Sequence, residues 1–282
     1  MKVLITGATG FIGNYVVEEL LKKDIQVIAS SSNLETATFK PWFDKVEYVP
    51  LDFSNLNSLE NYFTYFHQPD ICIHLAWEGL PNYKQPFHVE KNLPVHKQFL
   101  KNLIQNGLKS LTVTGTCFEY GLQEGSLQED MLCYPSNSYA IAKNELNIFL
   151  QTLLQQYTYS FKWVRLFYMY GGGQNANSLL SQLDVSLMKN EPTFNMSGGG
   201  QVRDYLPVEE VAKNIVAIAL QTKIENVINC CSNQPITVKA FVENYLKRQQ
   251  KKILLNLGYY PYSDLEPMCF WGDNSKLLKI KI

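Results

Sequence analysis

Arginine is the scarcest charge in this chain: only Arg165, Arg203 and Arg248 occur among 282 residues, and the net charge is −1. No basic stripe exists to follow a phosphate backbone, which excludes nucleic acid as a partner. A small anionic ligand would need only one or two cations. Cysteine is equally unpatterned. Cys72, Cys117, Cys133, Cys230, Cys231 and Cys269 contain no CxxC spacing, and His67, His74, His88 and His96 contain no HxxxH pair. Neither a zinc site nor a disulfide framework is signalled, and the thiols are expected to be reduced and mostly buried. Long apolar runs are missing too: none approaches the ~20 residues of a membrane span, and because the sequence opens directly on a strand-like run, no signal peptide is expected. A cytoplasmic protein is expected.

What is present is 46% hydrophobic and 18% charged, enough to bury a large core as one α/β domain with an annex or as two domains. Lys2 to Thr6 is a β-branched apolar run, residues 7–13 interrupt it with glycines, and Asn14 to Lys22 carries helical spacing through Val16, Val17, Leu20 and Leu21. Further strand-like runs at Gln26 to Ala29, Val46 to Pro50, Ile71 to Ala76 and Ser110 to Thr114 alternate with helical segments such as Asn92 to Gln105 and Ser138 to Gln156. This order predicts a Rossmann-type doubly wound parallel sheet over residues 1–165. Lys162 to Met169 reads as one more strand, and a strand near 225–231 is expected to rejoin the sheet. Residues 166–282 otherwise form a smaller α/β region for substrate, packed against the first across a cleft.

In Gly7-Ala8-Thr9-Gly10-Phe11-Ile12-Gly13 the glycines permit a tight turn, close approach of backbone to a pyrophosphate, and tight helix–strand packing, while the helix N-terminus offers amide donors. Asp52, in Leu51-Asp52-Phe53, is placed either to reach an adenine amino group or to cap a helix. At the end of the second strand, Ser30-Ser31-Ser32-Asn33 holds no carboxylate to repel a ribose 2′-phosphate. That favours NADP(H) over NAD(H), although no arginine is there to clasp the phosphate, and a plain turn is the alternative role of the serines. Tyr139 and Lys143, four apart on one helix, share a face. An ammonium beside a phenol lowers the phenol's pKa and readies it for proton transfer, though the same spacing also occurs as a packed tyrosine with a solvated lysine.

Gly7, Gly10 and Gly13, then Asp52, His74-Leu75-Ala76-Trp77, Thr116 ahead of Tyr120-Gly121, and Tyr139 with Lys143 together resemble the extended short-chain dehydrogenase/reductases over essentially the whole chain. Arg203-Asp204-Tyr205-Leu206-Pro207-Val208 resembles the segment with which sugar-nucleotide members hold the substrate diphosphate; a surface ion pair with Asp204 or Glu209 is the alternative. The resemblance implies that Thr116 bonds the reacting sugar oxygen, Tyr139 carries the proton and Lys143 tethers the nicotinamide ribose. It implies a coenzyme site of Gly7, Gly10, Phe11, Ile12, Gly13, Ser30, Ser31, Ser32, Asp52, Phe53, Leu75, Ala76, Trp77, Thr114 and Tyr168 with the Tyr139–Lys143 pair. The implied substrate site is Trp77, Thr116, Cys117, Phe118, Tyr168, Ser178 and Arg203. Asn92 matches an asparagine that pins the central strands.

Where dehydratases of that family resemble Thr-Asp-Glu, this chain has Thr116-Cys117-Phe118, so the acid and base that expel water are missing. The resemblance is to bacterial 4-keto-6-deoxyhexose reductases acting on dTDP- or CDP-linked sugars in deoxysugar and surface polysaccharide synthesis. A C4 epimerase that recycles NAD and a non-catalytic NADP-binding redox sensor are the alternatives. The same resemblance implies a homodimer built on the Asn92 to Gln105 and Ser138 to Gln156 helices, whose apolar stripes could equally be spent inside one chain.

Overall fold

The computed structural model describes residues 1–264 and 266–280. Seven parallel strands form the central sheet: β1 (Lys2–Thr6), β2 (Gln26–Ser30), β3 (Glu47–Tyr48), β4 (Ile71–His74), β5 (Ser110–Thr116), β6 (Ser160–Leu166) and β7 (Asn226–Cys230). Their spatial order is β7-β6-β5-β4-β1-β2-β3. The chain winds outward from β1 to β3, then returns to β4 on the other side of β1, so the direction of winding reverses between β1 and β4. In such sheets ligands bind outside the carboxyl ends of the strands at this point.

Alternation along the strands decides which layer each side chain enters. Val3, Ile5, Val27 and Ala29 pack on one face beneath helices α1 (Phe11–Leu21) and Val208–Leu220, while Leu4, Ile28 and Cys72 pack on the other. That second face is covered by α2 (Leu93–Gln105) and α3 (Ser138–Leu153), which contribute Phe99, Leu100, Leu103, Leu146 and Leu150. The apolar stripes of these two helices are therefore largely used within the chain.

The single strand expected over Lys162 to Met169 divides. The sheet strand ends at Leu166, Phe167 turns into a cluster with Cys117, Tyr120 and Phe270, and Tyr168–Tyr170 joins a separate three-stranded sheet with Val202–Pro207 and Pro235–Thr237. Continuity of apolar residues hid the break because the first half is buried in the sheet and the second, partly buried, packs against other clusters. β3 is two residues long rather than the five expected, although Val49 N–H still donates to Ala29 O at 3.0 Å and Leu51 N–H to Ser31 O at 3.1 Å, which keeps the following residues beside β2. No helix among the described residues is long and apolar enough to cross a membrane.

Candidate active site

The turn after β1 is closed by backbone alone. Gly10 N–H donates to the Gly7 carbonyl at 3.0 Å, and Gly7 has φ 71°, a conformation that costs a side chain of L configuration dearly. A Cβ on Gly7 would lie 2.8 Å from the Ala76 nitrogen, and one on Gly13 would lie 2.1 Å from the Gly7 oxygen. The loops that follow β1 and β4 thus touch at the switch point, with room for main chain only. Gly10 heads α1 without a side-chain cap, so the first-turn amides of Phe11 and Ile12 are the donors this end offers an anion.

At the end of β2, Ser30 is buried, the Ser31 hydroxyl lies 2.8 Å from the Tyr48 hydroxyl, and Asn33 caps the short helix Leu34–Thr38. Ser32 is exposed. Asp52 is used as a cap: its carboxylate accepts from Ser54 N and Oγ at 2.8 Å and from Asn55 Nδ2 at 2.9 Å. The Ser54 bonds hold that carboxyl below its ordinary range. Phe53 packs edge-on against Phe99 and beside His96.

The loop after β4 carries Leu75, whose N–H donates to Thr6 O at 3.2 Å, and then Ala76 and Trp77. The Trp77 ring stacks on His96 with centroids 4.7 Å apart, and its indole N–H donates to His88 Nδ1 at 3.1 Å. Behind it a buried chain runs from Thr6 Oγ1 to His74 Nδ1 (2.8 Å) and from His74 Nε2 to His96 Nδ1 (2.9 Å). Burial, with the neighbouring Lys143 charge, pushes His96 down to about 3. Asn92 ends a π-turn over His88–Asn92 and donates to Glu78 O at 3.0 Å. It pins the loop after β4 rather than the central strands, because the strand has already ended at His74.

Tyr139 and Lys143 lie on the inward face of α3 as expected, both buried. Their relation differs from the simple pairing. Lys143 Nζ donates to the Thr114 carbonyl at 2.8 Å and lies 4.3 Å from the Trp77 ring centroid. Burial depresses Lys143 to about 7, with Glu119 partly opposing the fall. The Tyr139 phenol is pushed up, not down. Burial does most of this, Tyr83, Glu119 and Cys117 add to it, and a hydrogen bond with Thr116 partly offsets it. The helical spacing was legible; the burial that reverses the shift was not, because it is supplied by Trp77, Tyr83 and His88, whose rings stand 6.0, 5.6 and 5.4 Å from that of Tyr139.

Thr116 closes β5 and caps the turn Cys117–Tyr120, its hydroxyl accepting from Phe118 N at 3.3 Å. Cys117 is buried, and Phe118 meets Tyr83 edge-on at 5.1 Å. Tyr168 lies beside Arg203, whose guanidinium carbon is 5.7 Å from its ring. Arg203 itself is 1% exposed and binds Glu266 Oε2 through Nε (3.1 Å) and Nη2 (2.8 Å), while Nη1 reaches the carbonyls of Val202 and Met268. Asp204 is not its partner; that carboxylate accepts from Ser232 and Asn233. Ser178 stands at the head of helix Leu179–Met188 with its hydroxyl bonded to Ser181 at 2.8 Å. Tyr83, His88, Glu119 and Glu266 were not anticipated. Only Glu119 carried a signal, as an acid inside an apolar strand-to-turn segment.

A parallel sheet wound in this order, with a glycine turn at its switch point and Thr116, Tyr139 and Lys143 gathered at the carboxyl ends, defines a nucleotide-binding enzyme of the extended short-chain dehydrogenase/reductase type. The profile of the NAD dependent epimerase/dehydratase family matches residues 3–231, and the chain belongs to that family. The dTDP-6-deoxy-L-talose 4-dehydrogenase (NAD(+)) of Aggregatibacter actinomycetemcomitans is 28% identical over 277 residues, which are 96% of this chain and 99% of that protein. The dTDP-4-dehydro-6-deoxyglucose reductase of Escherichia coli is 23% identical over 266 residues, 90% of this chain and 83% of that one. Among solved structures, the UDP-glucuronic acid 4-epimerase from Bacillus cereus, in complex with UDP-glucuronic acid and NAD, shares the fold with a TM-score of 0.84 at 23% identity. That match covers 99% of this chain and 92% of the other.

Proposed function

We propose that this enzyme reduces the C4 ketone of a nucleoside-diphosphate-4-keto-6-deoxyhexose, with a nicotinamide dinucleotide as hydride donor. The observation that carries the reading is the gathering of Thr116, Tyr139 and Lys143 at the carboxyl ends of the strands, with Lys143 Nζ bonded to the Thr114 carbonyl and burial holding the Tyr139 phenol above its ordinary range. A protonated phenol suits donation to an oxygen that becomes an alkoxide, which is the reductive direction. The names of the talose dehydrogenase and the deoxyglucose reductase support the same carbon and sugar class.

The residues present fit such a coenzyme: Gly7, Gly10 and Gly13 leave a cradle that a Cβ would fill. Residues 7–13 would hold the pyrophosphate and Lys143 the nicotinamide ribose. When bound, the coenzyme supplies hydride to C4. Tyr139 gives its proton to the C4 oxygen, Thr116 orients that oxygen, and the rings of Trp77, Tyr83 and His88 keep water from the phenol. Ser30 to Asn33 hold no carboxylate, which favours NADP(H), but they hold no cation either, and the name of the talose dehydrogenase specifies NAD(+). Arg203 would meet a diphosphate only by sharing or displacing Glu266. A homodimer through α2 and α3 is part of the proposal; Ile148, 55% exposed on α3, is an apolar side chain left for it.

The test is incubation with dTDP-, CDP-, GDP- and UDP-linked 4-keto-6-deoxyhexoses and either NADPH or NADH. Stoichiometric loss of reduced coenzyme is expected. Interconversion of two sugars without net oxidation would instead establish the C4 epimerase, the second reading, which the likeness to the Bacillus cereus enzyme favours. Binding of coenzyme with turnover of no substrate in the panel would leave the redox-sensor reading.

A further inference from the structure

Thr116 is held in place by a carboxylate that the proposed reaction does not use. Glu119 is completely buried. Its Oε1 accepts from the Thr116 backbone N–H at 2.8 Å, both its oxygens accept from the Trp163 indole N–H at 3.0 Å, and Oε2 accepts from Arg165 Nε at 2.8 Å. Trp163 and Arg165 stand on β6, opposite Val113 and Gly115 of β5, so the carboxylate ties the catalytic turn to the neighbouring strand. Gly115 makes the space: a Cβ there would lie 2.2 Å from the indole nitrogen and 2.4 Å from Oε1. Three independent features, the glycine, the indole and the guanidinium, converge on one buried acid.

Stability alone is a weak account of this arrangement, because desolvating an ion pair consumes most of what its attraction returns. Its geometric effect is specific. Glu119 and Thr116 form a reciprocal capping box around the turn Cys117–Tyr120, in which the Thr116 hydroxyl oxygen is engaged by Phe118 N–H. That engagement leaves the hydroxyl proton for the reacting oxygen. We infer that Glu119, clamped by Trp163 and Arg165, is a positioning residue that sets the Thr116 hydroxyl in register with the Tyr139 phenol. The inference rests on Thr116 acting at the reacting oxygen, as proposed above.

A double-mutant cycle of Glu119→Gln and Thr116→Ala, run on whichever sugar nucleotide the wild type turns over, tests it. Glu119→Gln is expected to lower kcat about tenfold while changing the coenzyme KM less than about twofold. In the Thr116→Ala background it should cost nothing further. Equal losses in both backgrounds, or a change in KM alone, would overturn the inference. Should Glu119→Gln fail to fold, the paired change Glu119→Leu with Arg165→Leu removes both charges together, and the same comparison of backgrounds decides. A crystal structure of the variant gives an arm independent of turnover: the Thr116 hydroxyl is expected to move by about 1 Å or more, and an unmoved hydroxyl counts against the role. If the wild type turns over nothing, the functional reading falls and the crystallographic arm still decides Glu119.

Discussion

A single side chain is where the proposed chemistry is most exposed to test. Removing the Tyr139 hydroxyl with Tyr139→Phe should leave folding intact and lower kcat by about 10²–10⁴-fold, the usual contribution of a positioned general acid; unaltered turnover would contradict the site. Lys143 links activity to pH in a direction opposite to its effect on stability. Depressed to about 7 from 10.5, it is neutral in the folded chain over a range where the unfolded chain still binds its proton. Unfolding then takes up protons, so stability measured without added coenzyme should rise with pH from about 7 towards 10.5. Activity that needs the cation should fall over the lower part of that window. Lys143→Met should abolish the stability slope in that range while losing most turnover, as followed by thermal melts and initial rates across pH.

At the scale of elements, the seating of α1 on the turn after β1 leaves no room for a side chain. Gly13→Ala would force a Cβ to 2.1 Å from the Gly7 oxygen and should cost about 2 kcal/mol or more, along with coenzyme affinity, in chemical denaturation and binding titrations. The seam between β4 and α2 has its own signature. His96, held near 3 against an ordinary 6.5, binds fewer protons folded than unfolded between those values. Stability from this source is complete above about 6.5 and is lost as pH falls towards 3. Replacing His96 by Gln should flatten that acid limb, which equilibrium unfolding at stepped pH would reveal. Such a pattern is invisible in a sequence, where His74 and His96 are far apart; only the packing of α2 on β4 brings His74 Nε2 and His96 Nδ1 to 2.9 Å.

For the molecule as a whole, the buried Arg203 guanidinium and the half-buried Glu266 carboxylate join the three-stranded sheet to the segment before Phe270–Gly272. Arg203→Met takes a buried guanidinium away from a carboxylate that water partly reaches and should destabilise by about 1–3 kcal/mol even without substrate. A loss of substrate affinity at unchanged stability would show instead that the guanidinium is free to bind a diphosphate.

The chain's own order of residues was enough to specify the parallel sheet, the glycine turn and the α3 placement of Tyr139 and Lys143. Each depends on local periodicity or on backbone freedom, and both are written residue by residue. Tertiary packing decided the rest. It raised the phenol of Tyr139 by enclosing it in three rings from the connection between β4 and α2, gave Arg203 a partner 63 residues away, split one apolar run between two sheets, and turned Glu119 inward onto Trp163 and Arg165. Burial and distant charge are sums over neighbours that only the folded chain assembles, which is why the proton chemistry of this site was not legible from spacing alone.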